Sequence, residues 1–127
     1  YTRGFILHEE NKAPALIARA QENDNSARCL LVKGRADLIA VKGKILASVD
    51  QPVVEAMEAI GGTGDPLTGM ACALIASGMA VPEASILAAK TNRLAGKWAN
   101  LSPASQIGAL IRQIPAALDI ILRDGEP

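Results

Sequence analysis

The sequence predicts a single α/β domain over residues 1–127, with a small mixed sheet of about four strands, an early helix and three late helices. Three observations carry this reading: short apolar runs confined to the part before residue 50, a Lys-Gly pair between two of those runs, and long helix-forming stretches after a glycine-rich turn. A chain of 127 residues has material for one modest core, and an apolar content of 50% suffices to fill it.

Gly4-Phe5-Ile6-Leu7-His8 reads as a short buried strand. A helical pattern follows from about Asn11 to Glu22, with Leu16, Ile17 and Ala20 on one face, and the turn residues Asn23-Asp24-Asn25-Ser26 end it. Cys29-Leu30-Leu31-Val32 is a continuous apolar run of the kind a buried parallel strand shows. After Lys33-Gly34, the runs Leu38-Ile39-Ala40-Val41 and Ile45-Leu46-Ala47-Ser48-Val49 flank Lys42-Gly43-Lys44, a hairpin with Gly at its turn. Helices take over from there. The first begins at Asp65-Pro66 and runs to about Gly78; the second begins near Val81-Pro82-Glu83 and runs to about Ala99. Ser102-Pro103-Ala104 opens the third, which is interrupted at Pro115 and continues to Leu122. At the last two starts Pro occupies a first-turn position, where its missing N–H costs nothing.

Composition excludes several classes. The formal net charge is zero, no stretch concentrates Lys or Arg, and Tyr1, Phe5 and Trp98 are the whole aromatic content. A nucleic-acid binder needs a basic face or stacking plates, so no nucleic-acid partner is expected. No apolar run approaches the roughly 20 residues that cross a bilayer, and the N-terminus has no secretory signal, so no membrane partner is expected either. Cys29 and Cys72 have no metal spacing and lie in apolar surroundings, which suggests reduced core thiols in a cytoplasmic protein. Tyr1 in the place of an initiator Met leaves room for a longer natural chain.

The chemistry concentrates in Gly61-Gly62-Thr63-Gly64-Asp65-Pro66-Leu67-Thr68-Gly69. Glycines let a backbone turn tightly and let phosphate oxygens reach N–H groups that a Cβ would shield. The helix that follows offers unpaired N–H donors and a partial positive charge. Together these make an anion hole. Asp65 fits it only with a task, such as taking a proton from a hydroxyl that attacks the phosphate. Asp before Pro at a helix start is also a good N-cap, worth about 1 kcal/mol, and the local sequence leaves both roles open. Neither a Walker-type Gly-Lys-Ser/Thr nor a Rossmann Gly-x-Gly-x-x-Gly occurs.

The pattern Gly-Gly-Thr-Gly-Asp-x-Leu-x-Gly resembles the anion-hole motif of ribokinase-like enzymes, most closely that of the ADP- or ATP-dependent NAD(P)H-hydrate dehydratases. Leu31-Val32-Lys33-Gly34 followed by Asp37-Leu38-Ile39 resembles that family's strand–Lys-Gly–strand passage. Pro82-Glu83-Ala84-Ser85-Ile86 and Asn92-Arg93-Leu94-Ala95-Gly96 resemble its next helix, with Asn92 where the family often has His. Residues 105–118 are similar to its closing helix. Residues 5–9 resemble its Thr-Pro-His-x-x-Glu passage without the Thr-Pro. The resemblance covers most of this chain but only about the C-terminal half of the family's domain. It implies a ribokinase-like C-terminal half that binds ADP or ATP, with Mg2+ as the accompanying cation. Lys33, Gly34, Gly61, Gly62, Thr63, Gly64 and Asn92 would be the nucleotide-binding residues. Asp65 would be the catalytic base that activates the hydroxyl of hydrated NAD(P)H for phosphorylation, after which phosphate is eliminated. Pro66 departs from the pattern by removing one N–H from the phosphate's side.

The remaining candidates read more plainly. Lys33 taken alone is a solvated lysine before a Gly turn. His8 is the single histidine, so a two-histidine metal site is excluded and no metal ligands are assigned. Asn92 inside a helix is mildly unfavourable, a hint of a polar partner. Trp98 reads as a core or subunit-contact residue. Glu55 and Glu58 share a face if residues 53–59 are helical, and solvation explains them. A half-sheet leaves strand edges and apolar faces open, so a homo-oligomer or a completing chain is expected. The alternatives to a hydrate dehydratase are a nucleotide-binding or structural module without turnover, and a small-molecule kinase of the same superfamily.

Overall fold

A computed structural model describes residues 13–124. The expected strand at Gly4 to His8, with His8 itself, lies outside the described residues. The chain divides after Val49 into two compact units.

The first unit holds helix α1 (Ala13–Ala20) and strands β1 (Cys29–Val32), β2 (Asp37–Val41) and β3 (Lys44–Val49). Among the described residues the sheet has three strands in the order β1-β2-β3, all antiparallel, where a mixed sheet of about four was expected. Cys29-Leu30-Leu31-Val32 is therefore not a parallel strand. Its four-residue link to β2 is far too short for the crossover a parallel pair needs, and all four of its residues are half-buried. The hairpin lies where the sequence places it. Lys42 and Gly43 have φ of 51° and 84°, the two positive values of the turn that follows strand twist. A bulge interrupts the β2–β3 register between Ile39 and Ala40, both fully buried.

α1 keeps its expected place but not its expected face: Ile17 is buried, whereas Leu16 is 52% exposed and Ala20 is exposed. The inward stripe is Ile17 and Gln21, one turn apart. Gln21 explains the choice. Its Nε2 donates to the carbonyls of Ala27 (3.0 Å) and Ala40 (3.4 Å), and its Oε1 accepts the N–H of Gly43 (2.7 Å). One buried amide thus ties the helix end to the loop, a strand and the hairpin turn.

The second unit is helical: α2 (Ala56–Ala59), α3 (Gly64–Ala76), α4 (Val81–Trp98), α5 (Ile107–Ile111) and α6 (Ile114–Asp124). α4 is its axis, packing against α3, α5 and α6. Every residue at positions 91–96 is buried, so this stretch of α4 is enclosed on all sides. Met57, Leu94, Ala95, Leu110, Ala117 and Ile121 form the core, with Val54, Leu87, Leu101, Ile107 and Ile114 packed against it. α3 stops where expected. Gly78 at φ 107° follows the C-cap Ser77, and the bonds Gly78 N–H to Ile75 O and Met79 N–H to Leu74 O close a Schellman motif. Asn100, at φ 50°, performs the same left-handed exit after α4.

The last expected helix differs. Ser102 and Ser105 close a turn on themselves instead: Ser105 N–H bonds to Ser102 O and Ser102 N–H to Ser105 Oγ, both at 2.9 Å. The local hydroxyls satisfy the backbone that a helix would have used, and α5 begins only at Ile107. The break falls at Arg112 and Gln113, because Pro115 cannot donate to the preceding turn and instead sits in the first turn of α6. Cys72 is also unlike its expectation. It lies on the exposed side of α3, a helix that buries only Leu67, while Cys29 is half-buried; both thiols are free.

Truncating the fully buried Leu110 to Ala should destabilise the protein by about 2–5 kcal/mol. Leu122→Ala, at a residue 58% exposed, should change stability by under about 0.5 kcal/mol. Chemical denaturation of the two variants measures the contrast.

Candidate functional site

Residues 61–65 run from the α2–α3 link into the first two residues of α3 and form the turn that the sequence singles out. Gly62 holds φ at 89°, the left-handed region that a side chain resists. Thr63 occupies the N-cap position of α3 in helical geometry, and no side chain caps the helix. The amide N–H of Asp65 bonds back to Gly62 O at 3.2 Å, and Pro66 has no N–H. The N–H groups of Gly61, Gly62, Thr63 and Gly64 bond to no other described residue. Gly61 and Gly62 are exposed, and a Cβ built on Gly61 would meet nothing within 4 Å. The turn is therefore a cluster of unsatisfied donors at the positive end of a 13-residue helix.

Asp65 settles one of the two roles left open by the sequence. It is the second residue of α3 and not its cap, and its carboxylate hydrogen-bonds no described residue. It is exposed, and its Oδ2 lies 3.7 Å from where a Cβ on Gly62 would stand. The carboxylate thus borders the donor cluster without neutralising it.

Beneath the turn, Asn92 is completely buried in α4 and its Nδ2 donates to Thr63 O at 3.1 Å. This is the polar partner that an Asn in mid-helix hinted at. Its Oδ1 is buried without a hydrogen-bond partner. Thr63, 5% exposed, is held a second time by a long hydrogen bond from its hydroxyl to Met57 O (3.4 Å). Met57 in turn lies over Gly96, where an added Cβ would come within 2.6 Å of its Sδ. Met57 is the supporting residue that the sequence did not point to, and Gly96, part of the Asn92-to-Gly96 passage, is its seat. The available signal was the four-residue spacing from Asn92 to Gly96, which puts both on one face of a helix.

Lys33 and Gly34 belong to the first unit, in the β1–β2 connection. Lys33 is exposed, and the Gly34 N–H bonds to Oδ1 of the buried Asp37 at 3.1 Å, an arrangement that shapes the connection. Glu55 and Glu58 are exposed, in keeping with solvation, and Trp98 is 39% exposed at the end of α4. Among the described residues no group of three or more His, Cys, Asp or Glu is placed to hold a metal, and no helix is long and apolar enough to cross a membrane.

Comparison with known proteins shows the family of the chain. A carbohydrate-kinase-type family model described as NAD(P)H-hydrate dehydratase matches residues 6–115. An uncharacterized protein of Methanocaldococcus jannaschii is 39% identical over 124 residues, which cover 97% of this chain and 53% of the relative. A bifunctional NAD(P)H-hydrate repair enzyme of Hyperthermus butylicus is 35% identical over 115 residues, covering 89% of this chain and 21% of the relative. The chain thus spans about half the length of the first relative and a fifth of the second. No solved structure matches significantly.

The two turn glycines should respond differently to a methyl group. Gly62→Ala must hold a side chain at φ 89° and should lose about 1–2 kcal/mol. Gly61→Ala points its methyl into open space and should stay within about 0.5 kcal/mol of the parent. Thermal denaturation distinguishes them.

Proposed function

The chain belongs to the NAD(P)H-hydrate dehydratase family, and on that premise we propose that the turn at residues 61–65 binds the transferable phosphate of ADP or ATP, with Asp65 as the catalytic base. One observation carries the reading: four backbone N–H groups and one carboxylate with no hydrogen-bond partner among the described residues lie in the same turn, which is exposed at Gly61, Gly62 and Asp65. Donors without a carboxylate would make a plain anion site, and a carboxylate without donors would repel a phosphate. Their combination suits a hydroxyl that loses its proton as it attacks phosphorus.

In this scheme Asp65 takes the proton of the hydroxyl on hydrated NAD(P)H, and the oxygen attacks the terminal phosphorus of the nucleotide. The bond to the nucleotide's leaving oxygen breaks there. The phosphate ester then loses inorganic phosphate together with a proton from the neighbouring ring carbon, and the double bond formed restores NAD(P)H. The N–H groups of Gly61, Gly62, Thr63 and Gly64 hold the negative charge on the phosphoryl oxygens during transfer. Mg2+ fits as a cation carried by the nucleotide's own phosphates, because the neighbourhood offers one exposed carboxylate and no ligand cluster among the described residues. Lys33 and Gly34 are assigned to the nucleotide on the family resemblance. A reduced, cytoplasmic setting agrees with two free thiols.

Activity in this proposal requires completion, by further chain or by a second copy. β1 and β3 are edge strands among the described residues, and α3 exposes Gly69, Cys72, Ala73, Ile75 and Ala76 along one side. Unpaired strand edges and a small-residue apolar face are surfaces that a partner covers. Light scattering should therefore report an oligomer for this chain, and a stable monomer at working concentration would count against completion by a second copy. The alternative of a binding module without turnover shares the anion turn and lacks the chemistry. A small-molecule kinase would differ only in the acceptor hydroxyl.

ADP or ATP should raise the melting temperature of the chain. In the completed protein, Asp65→Asn should lower turnover of hydrated NADH by roughly 100- to 10,000-fold, with nucleotide protection kept and stability nearly unchanged. Equal turnover in the variant would remove the base assignment. A lowered melting point with full activity would return Asp65 to a structural role.

A further inference from the structure

The peptide between Thr63 and Gly64 connects the buried side of the turn to its exposed side. In a planar trans peptide the C=O and the following N–H point in opposite directions. Thr63 O is bonded to the amide of Asn92, a residue with no exposed surface, so this carbonyl faces the interior. The Gly64 N–H must then face away from it. Gly64 is the first residue of α3; Asp65 spends its N–H on Gly62 O, and Pro66 has none. Gly64 is thus the first-turn position left to offer the helix's positive end to an anion at the 61–65 turn. Its direction depends on where Thr63 O is held.

We propose that one face of α4, bearing Asn92 and Gly96, is the template that aims the Gly64 N–H outward, making Asn92 a positioning residue of the anion turn and not a contact to the nucleotide. Two features of Asn92 support this beyond the single bond. Its Oδ1 is buried with no partner, an arrangement that an apolar side chain of similar size would avoid. The amide is therefore retained for its donor. The second half of the template is Gly96, one helical turn further along. Its missing Cβ lets Met57 settle there, and the carbonyl of Met57 accepts the Thr63 hydroxyl. Thr63 is held at its carbonyl by Asn92 and at its hydroxyl by the backbone carbonyl of Met57, whose side chain lies over Gly96. The two bonds add to the helical geometry of Thr63 and the first turn of α3 in holding this peptide plane.

This inference rests on the anion reading of the turn, and the tests separate the two. The first measurement is amide exchange and 15N spectra of the parent protein, titrated with ADP. The Gly64 amide should exchange rapidly in the free protein and become protected when ADP binds. A Gly64 amide already protected without ADP would overturn the outward orientation. The second is ADP affinity by calorimetry for Asn92→Leu and Asn92→His. Leu removes the donor and the orphaned acceptor together and should weaken ADP binding about tenfold, while the melting temperature falls little. His can present a ring N–H to Thr63 O and should recover most of the affinity. Parent-like affinity in a folded Asn92→Leu variant would refute the positioning role while leaving the anion site intact. Failure of the parent protein to bind ADP at all would refute the anion site and, with it, this inference. Should Asn92→Leu fail to fold, Thr63→Val provides an independent route. It removes the hydroxyl that bonds Met57 O and should weaken ADP binding several-fold, and unchanged affinity there would also overturn the template.

Discussion

A hydrogen bond from a fully buried side chain to a loop carbonyl is the constraint on which the second unit's site depends. Asn92 donates to Thr63 O from the middle of an 18-residue helix, inside a stretch buried on every side. Burying an amide costs free energy unless it is bonded, and this one remains half unsatisfied at Oδ1. The fold tolerates that cost where it holds the Thr63 carbonyl of the glycine-rich turn. The site is therefore less a property of the glycines alone than of the helix beneath them. Glycines make the 61–65 conformation accessible, and α4 selects it.

The packing of α4 explains how so small a unit achieves this. Ala84, Ala88, Ala89 and Ala95 have no exposed surface, so neighbouring helices approach α4 closely and the core is filled by Met57, Leu94, Leu110, Ala117 and Ile121. Close approach brings the backbone of the turn within reach of a short side chain such as Asn. A larger residue at position 96 would have to displace the Met57 side chain that lies over it. α3, by contrast, buries only Leu67 and leaves most of its small residues on the surface.

Much of this was legible in the sequence, and the failures share a cause. Gly43, Gly78 and Pro82 mark their turns and helix starts because each acts through local backbone geometry, which a single residue reports. The glycine-rich turn was legible for the same reason. What escaped was orientation. A helix of Ala, Gly and Cys offers no amphipathic contrast, so the exposed side of α3, with Cys72 on it, could not be told from the buried one. At the end of α1 the polar Gln21, and not Leu16, turned inward, because three hydrogen bonds outweighed one apolar contact. The run Cys29-Leu30-Leu31-Val32 looked parallel because continuous apolarity does not encode strand direction; the short link to β2 does. Ser102 and Ser105 resembled a helix start until their hydroxyls were seen to satisfy the turn itself. In the site, Asp65 was found by its motif, but only the structure shows that it leaves the capping position to Thr63.

The central claim is that the backbone N–H groups at residues 61–64 bind a nucleotide's phosphates. Crystals grown with a non-hydrolysable ATP analogue would test it most directly. The account predicts the terminal phosphate within hydrogen-bond distance of at least three of the amides of Gly61, Gly62, Thr63 and Gly64, with the Asp65 carboxylate beside it. An analogue bound elsewhere, with this turn empty and its amides bonded to solvent, would contradict the claim.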